Sequence, residues 1–285
     1  MKIGVSSYSF SSYIKSSGCD YFKLCDIAHE IGFDGIEFVE LESKSWGITD
    51  DPMKTAGEIR EYCAKLGLEV SAYTVGANLL SENIDEEVER VLRKIDVAAE
   101  LGAPLLRHDV CYSLPKKPRY SWREAMADMV PHIRRITEYA EAKGIRTCTE
   151  NHGYIFQDPA RVEELIRAVD RDNYGWLCDM GNFLCADCDP ARSVTVAAPY
   201  TFHAHAKDFL LKSGDEPKPE GFFSTAAKNH LRGTVVGHGV VPVARCVSIL
   251  KSAGYDGYLS LEFEGMEDTL AAIRAGYAYL RKITE

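Results

Sequence analysis

The 285-residue chain has no apolar run approaching the ~18–20 residues that cross a bilayer, so no membrane segment is expected. It also lacks a dense block of Lys and Arg. The formal net charge is −10, which argues against a nucleic-acid partner. The opening stretch MKIGVSSYSF has no apolar signal-peptide core. Nine cysteines, an odd number, fall in no framework spacing, so reduced thiols in a cytoplasmic protein are expected. The pair Cys185 and Cys188 matches Cys-x-x-Cys, but no second pair completes a structural zinc site. No Gly-x-Gly-x-x-Gly follows the first β-type run, which weakens a dinucleotide-binding open sheet. No Pro-, Gly- or Ser-rich linker divides the chain. What remains is 46% apolar and 27% charged, enough for a sizeable core.

One phrase recurs: a helical stretch, a glycine, then a short β-type run. It occurs at Gly32, Gly67, Gly102, Gly144 and Gly254. Glycine just past a helix tolerates the left-handed backbone that ends it, and the residues that follow are rich in strand formers. Three more β-type runs lie in MKIGVSSY, NYGWLCDMG and YTFHAHAKD. The expected strands are about 2–7, 34–39, 68–73, 104–108, 145–150, 174–179, 200–206 and 257–262. Amphipathic stretches lie between them. One carries Val88, Val91, Leu92, Ile95, Ala98 and Ala99 on its apolar face, and another carries Pro131 at an expected kink. Eight alternating β and α units in one chain predict a single α/β domain over residues 1–285, a (β/α)8 TIM barrel. A long loop is expected at about 209–241, after the seventh strand, covering part of the pocket with Phe222 and Phe223. The alternative for these two rings is packing against a helix or, in a homo-oligomer, a second subunit.

The stretch TFHAHAKDF (201–209) puts His203, His205 and Lys207 on one face of a strand. Three such groups make a poor core and a reasonable site. In a barrel the chemistry sits at the C-terminal ends of the strands. Strands five to eight end in Glu150, Asp179, His205 and Glu262, and adjacent strand ends converge. Two Glu, one Asp and one His form a mixed oxygen and nitrogen donor set. It suits one divalent ion, manganese, magnesium, cobalt or iron, better than a thiolate-loving metal. Manganese is favoured, and zinc stays in the set. His203, one strand step below His205, is expected to face the interior without touching the ion. His152 and Lys207 are placed to donate hydrogen bonds to substrate oxygens. Arg107 either does the same or is salt-bridged within its strand. Glu37 is either a substrate contact or a buried strand carboxylate. Asp208 is read as a helix N-cap or a solvated loop residue, and Glu264 as the weaker of two glutamates because it lies past the strand end.

The motifs TENHG (149–153), CDMGN (178–182), HAKD (205–208), GHG (237–239) and GYDGYLSLEFEG (254–265) resemble the xylose-isomerase-like sugar phosphate isomerase/epimerase superfamily. The resemblance runs along essentially the whole chain. It implies that Glu150, Asp179, His205 and Glu262 are metal ligands, and that Glu150 and Glu262 are the paired acid/base residues. The implied activity is isomerisation or epimerisation of a small keto-sugar or polyol through an enediolate. The alternative is a lyase or dehydratase of the inosose or dehydroshikimate type, or β-elimination from a keto-glycoside. The implied partner is a small carbohydrate or cyclitol. Asn182 stands where ketose 3-epimerases and a repair endonuclease of that superfamily carry a His. It is taken as a substrate-binding residue, and its presence weakens both of those activities. The endonuclease's Asp-x-His pair is absent from the chain.

Overall fold

The recurring glycine phrase generates a closed barrel. The computed structural model describes residues 1–42 and 49–285. The elements run β1 (Lys2–Ser6), α1 (Ser11–Ser17), α2 (Tyr21–Ile31), β2 (Gly35–Val39), α3 (Pro52–Leu66), β3 (Glu69–Val75), α4 (Ile84–Leu101) and β4 (Leu105–His108). There follow α5 (Trp122–Glu141), β5 (Arg146–Glu150), α6 (Pro159–Val169), β6 (Tyr174–Asp179), α7 (Pro190–Ala197) and β7 (Thr201–Ala206). The chain ends with β8 (Asp208–Lys212), β9 (Phe223–Ser224), β10 (His230–Thr234), α8 (Val243–Ser252), β11 (Tyr258–Leu261) and α9 (Thr269–Thr284). Eight parallel strands close in the order β1-β11-β7-β6-β5-β4-β3-β2, a single-domain TIM barrel. All five phrase glycines adopt left-handed φ values, between 70° and 104°. At these positions a side chain would be strained against the following carbonyl.

The helices pack their apolar stripes on the outward strand residues. On α4, Val88, Val91, Leu92, Ile95 and Ala98 are buried as expected. Ala99 is exposed instead, and Lys94 is buried in its place, paired with Glu40 at 3.0 Å and with Glu42. Four methylenes let a lysine cover apolar surface while its ammonium reaches a carboxylate. Helix α5 continues through Pro131. Among the described residues no helix is long and apolar enough to cross a membrane.

Register decides what faces the inside. Asp179 is level with His205, and His205 with Ser260. Glu37 is level with Ser6 and Ala72. Ala72, Leu105, Cys148 and Leu177 form a small apolar cluster of strand residues. One strand step (two residues) further along β4, β5 and β6 come Arg107, Glu150 and Asp179, so polar groups begin where that plug ends.

The expected loop at 209–241 carries a small antiparallel sheet, ordered β8-β10-β9. Strand β8 starts two residues after β7, so the chain leaves the barrel still extended. Asp208 accepts hydrogen bonds from the backbone N–H of Phe209, Gly237, Gly239 and Val241 at 2.8–3.0 Å. It ties the far end of the insert to the tip of β7, and it caps no helix. Gly239 has to be glycine here because a Cβ would strike the Asp208 carboxylate and the Phe209 carbonyl.

Candidate active site

The C-terminal strand ends open into a cavity of about 820 Å³ whose lining includes Glu37, Glu150, His152, His205, Lys207 and Glu262. At its floor, donor atoms of Glu150, Asp179, His205 and Glu262 all lie within 4.8 Å of one another. They come from β5, β6, β7 and the residue after β11. His205 aims Nδ1 at this cluster: 3.1 Å from Glu262 Oε2, 3.7 Å from Asp179 Oδ2 and 3.9 Å from Glu150 Oε1.

The donors fit a divalent cation. Asp179 Oδ1 is held by the N–H groups of Gly181 and Asn182 at 2.8 Å each. Its Oδ2 is fully buried and accepts no hydrogen bond. A buried carboxylate oxygen of this kind is costly unless a cation answers it. The Lys207 ammonium stands in for one, 2.8 Å from Glu262 Oε2, 3.2 Å from Asp179 Oδ2 and 3.7 Å from Glu264 Oε2. Burial disfavours charge on Lys207, but these carboxylates outweigh it and raise its pKa well above the usual lysine value. His205 behaves likewise. Burial is outweighed by Glu37 and Glu262, and its pKa is raised well above the ordinary imidazole range. The two glutamates differ. Burial pushes the Glu150 carboxyl up despite Arg107. Burial acts on Glu262 too, but Lys207 and His205 overcome it and hold that carboxyl well below its usual range.

A second layer of residues fixes these donors. Glu37 Oε2 lies 2.8 Å from both His205 Nε2 and His203 Nε2. Glu37 is 1% exposed, at the bottom of the cavity. Of its two expected roles, the geometry fits the buried carboxylate that orients a histidine. With Nε2–H donated to Glu37, His205 would offer its Nδ1 lone pair to an ion in the donor cluster once that ion displaces the Nδ1 proton. His203 faces the interior between Glu37 and Ser260 Oγ, at 3.1 Å from the latter. Asn182 donates Nδ2–H to Glu150 Oε1 at 2.8 Å and accepts from Lys207 at 3.2 Å. Arg107 Nη2 is held between Asp109 Oδ1 at 2.8 Å and Glu150 Oε2 at 2.5 Å. That is the salt-bridged alternative for Arg107. His152 is exposed, with Nδ1 on Asp109 Oδ1 at 3.0 Å.

All nine residues singled out as metal, catalytic or substrate groups from the sequence line this one cavity or its floor. Residues not anticipated also line it: Tyr8, Tyr112, Tyr154 and Gln157. Each sits a few residues past a strand end, which was the available signal. Glu264 is in the cavity too, with Tyr8 Oη donating to it at 3.4 Å. Phe223 lines the cavity as expected, whereas Phe222 packs on Arg232.

A curated inosose dehydratase from Bacillus cereus (strain AH820) is 26% identical over 211 residues, 69% of this chain and 70% of that protein. The solved D-allulose 3-epimerase from Methylomonas sp. superposes with a TM-score of 0.73 at 19% identity, covering 99% of this chain and 98% of that one. A xylose isomerase-like TIM barrel protein from Mycobacterium smegmatis, solved in complex with magnesium, gives 0.72 at 17% identity, covering 99% and 96%. At these identities the solved structures speak for the fold alone. The model of one family, described as the xylose isomerase-like TIM barrel, matches residues 25–283. That span takes in every strand from β2 onward and the whole ligand cluster, and the chain belongs to this family.

Proposed function

We propose that the chain is a divalent-metal-dependent isomerase or epimerase that moves a proton beside the carbonyl of a small keto-sugar or polyol. The observation that carries this is the buried Glu150, Asp179, His205 and Glu262 cluster at the cavity floor, with Asp179 Oδ2 accepting no well-aligned hydrogen bond and facing the Lys207 ammonium at 3.2 Å. These four residues would hold the ion, with manganese favoured by the oxygen-rich set. When bound, the ion supplies a Lewis acid that makes the substrate proton acidic. One of Glu150 and Glu262 then takes that proton, and the other delivers one to the opposite face. His152 donates from Nε2 to a substrate oxygen, its Nδ1 being committed to Asp109. Asn182 and Arg107 keep the Glu150 carboxylate in place. The cations lining the cavity, Arg107, His152, His205 and Lys207, are each paired with a protein carboxylate. A phosphate dianion would have to displace one of these pairs, so the substrate is unphosphorylated. The nine free thiols suit a reducing, cytoplasmic compartment.

The likeness to an inosose dehydratase supports a second reading. The same proton abstraction is followed by loss of a hydroxyl or glycosidic oxygen, which the second carboxylate protonates. One experiment serves both. Keto-sugars and inososes are incubated with manganese-loaded protein in D₂O and followed by NMR. Chelator-sensitive deuterium uptake at the carbon beside the carbonyl is expected. Epimer formation identifies the isomerase, and an unsaturated product identifies the lyase. No uptake with any substrate refutes both.

A further inference from the structure

The floor of the cavity is charged and polar, and apolar rings stand beside the polar groups at its mouth. Among the described residues six large apolar side chains are strongly exposed; two of them, Tyr112 (48%) and Tyr154 (54%), line this one opening, and a third, Met266 (62%), lies next to a lining residue. The Met266 thioether lies against Gly221, and Gly221 lines the cavity beside Phe223. The four side chains come from different segments: the stretches after β4, β5 and β11, and the strand β9.

These groups are held in place. Tyr112 Oη donates to Asp109 Oδ2 at 3.1 Å and leans over Gly76. Tyr154 follows Gly153 (φ 80°) and itself has φ 66°, a left-handed backbone that a tyrosine adopts only against a steric penalty. Its N–H is fixed by Gln157 Oε1 at 2.9 Å. Phe223 is set edge-to-face on Phe209, ring centroids 5.8 Å apart. Strain that keeps an aromatic ring in water at a cavity mouth points to a ligand. The cavity volume, about 820 Å³, lies in the upper part of the range of about 300–1,000 Å³ that accommodates drug-sized ligands. A lone sugar ring on the carboxylate floor leaves the mouth empty.

We propose that the mouth is an outer subsite for an apolar ring attached to the substrate, stacked between Tyr112, Tyr154 and Phe223 with Met266 at its edge. The substrate is then a ring-bearing keto-glycoside, its sugar on the floor and its aglycone in the mouth. This rests on the floor being the polyol site proposed above.

The test compares phenyl and methyl 3-keto-β-D-glucopyranoside on the magnesium-loaded full chain, by calorimetry and by deuterium uptake in D₂O. Two stacked rings favour the phenyl compound by about tenfold in affinity. In the Tyr154→Ala/Phe223→Ala double variant that preference falls to about twofold or less, and Tyr154→Phe restores most of the Tyr154 share. Equal affinity of the two compounds for the unmutated chain, or no binding of either, overturns the subsite whether or not the variant folds. Deuterium uptake without phenyl preference overturns the subsite and leaves the proton-transfer reading intact. Phenyl preference without uptake keeps the subsite and sinks that reading.

Discussion

Replacing Glu37 by Gln separates a residue that orients a metal ligand from one that binds substrate. Glu37 is 1% exposed and its Oε2 takes hydrogen bonds from two histidines at 2.8 Å. Burial opposes its charge, but His205 and His203 hold its carboxyl well below the usual range. Gln keeps the shape and can accept one of those bonds, without the charge. Its amide can also turn and donate to His205 Nε2, which puts the proton on Nδ1, the atom aimed at the donor cluster. Loss of such an outer partner typically costs about 10–100-fold in metal affinity, or roughly 1.4–2.7 kcal/mol. The assay is calorimetric titration of the metal-free protein with Mn²⁺, with urea unfolding as a check that the variant is folded. A folded Glu37→Gln protein that binds Mn²⁺ within about twofold of the unmutated chain refutes the orienting role. If only the Michaelis constant for substrate rises, Glu37 is a substrate contact after all.

In the Glu150→Gln variant, deuterium uptake drops by about 10²–10⁴-fold while the ion is retained; unchanged turnover with metal bound would show that Glu150 moves no proton. Asp208→Ala leaves four backbone N–H donors unanswered, three at Gly237–Val241 and one at Phe209. It should lower unfolding stability by about 3 kcal/mol in urea titrations, and a loss under about 1 kcal/mol would mean that the insert is held elsewhere. Burial alone would raise the Asp109 pKa, but Arg107 and His152 bring it to about 2 from 3.8. A depressed carboxylate contributes stability above its unfolded pKa, and that stability is lost as pH falls through the folded one. The unmutated chain therefore loses about 2 kcal/mol between about pH 4 and pH 2 that Asp109→Asn does not lose. Parallel stability curves for the two proteins over that interval would contradict the assignment.

The barrel was legible because its signal is local and repeated. Five helical stretches are followed by a glycine in a left-handed backbone, and eight runs are strand-like, so eight units could be located within one or two residues. The cluster of donor side chains was legible for the same reason, since a strand end fixes where a side chain points. What was missed depends on contacts distant in sequence. The spacing of TFHAHAKDF places His203 and His205 on one face, but nothing in it says that Glu37, 168 residues away, joins their two Nε2 atoms. Lys94 reads as an exposed helix residue until Glu40 and Glu42 are brought beside it. The insert after β7 reads as a loop because β9 is only two residues long and the strands of its sheet are separated by turns rich in Gly, Pro and Lys. Tyr112 and Tyr154 carry no periodic pattern, and their place just past strand ends was the one sequence signal that pointed to them.

The most direct test of the central claim is a crystal of the unmutated chain grown with Mn²⁺ and measured at the manganese absorption edge. A single strong anomalous peak is predicted at the floor of the cavity, at about 2.0–2.4 Å from carboxylate oxygens of Glu150, Asp179 and Glu262 and from His205 Nδ1, with the Lys207 ammonium withdrawn from the cluster. No peak there at saturating Mn²⁺, or a peak bound through His205 Nε2, would contradict the account.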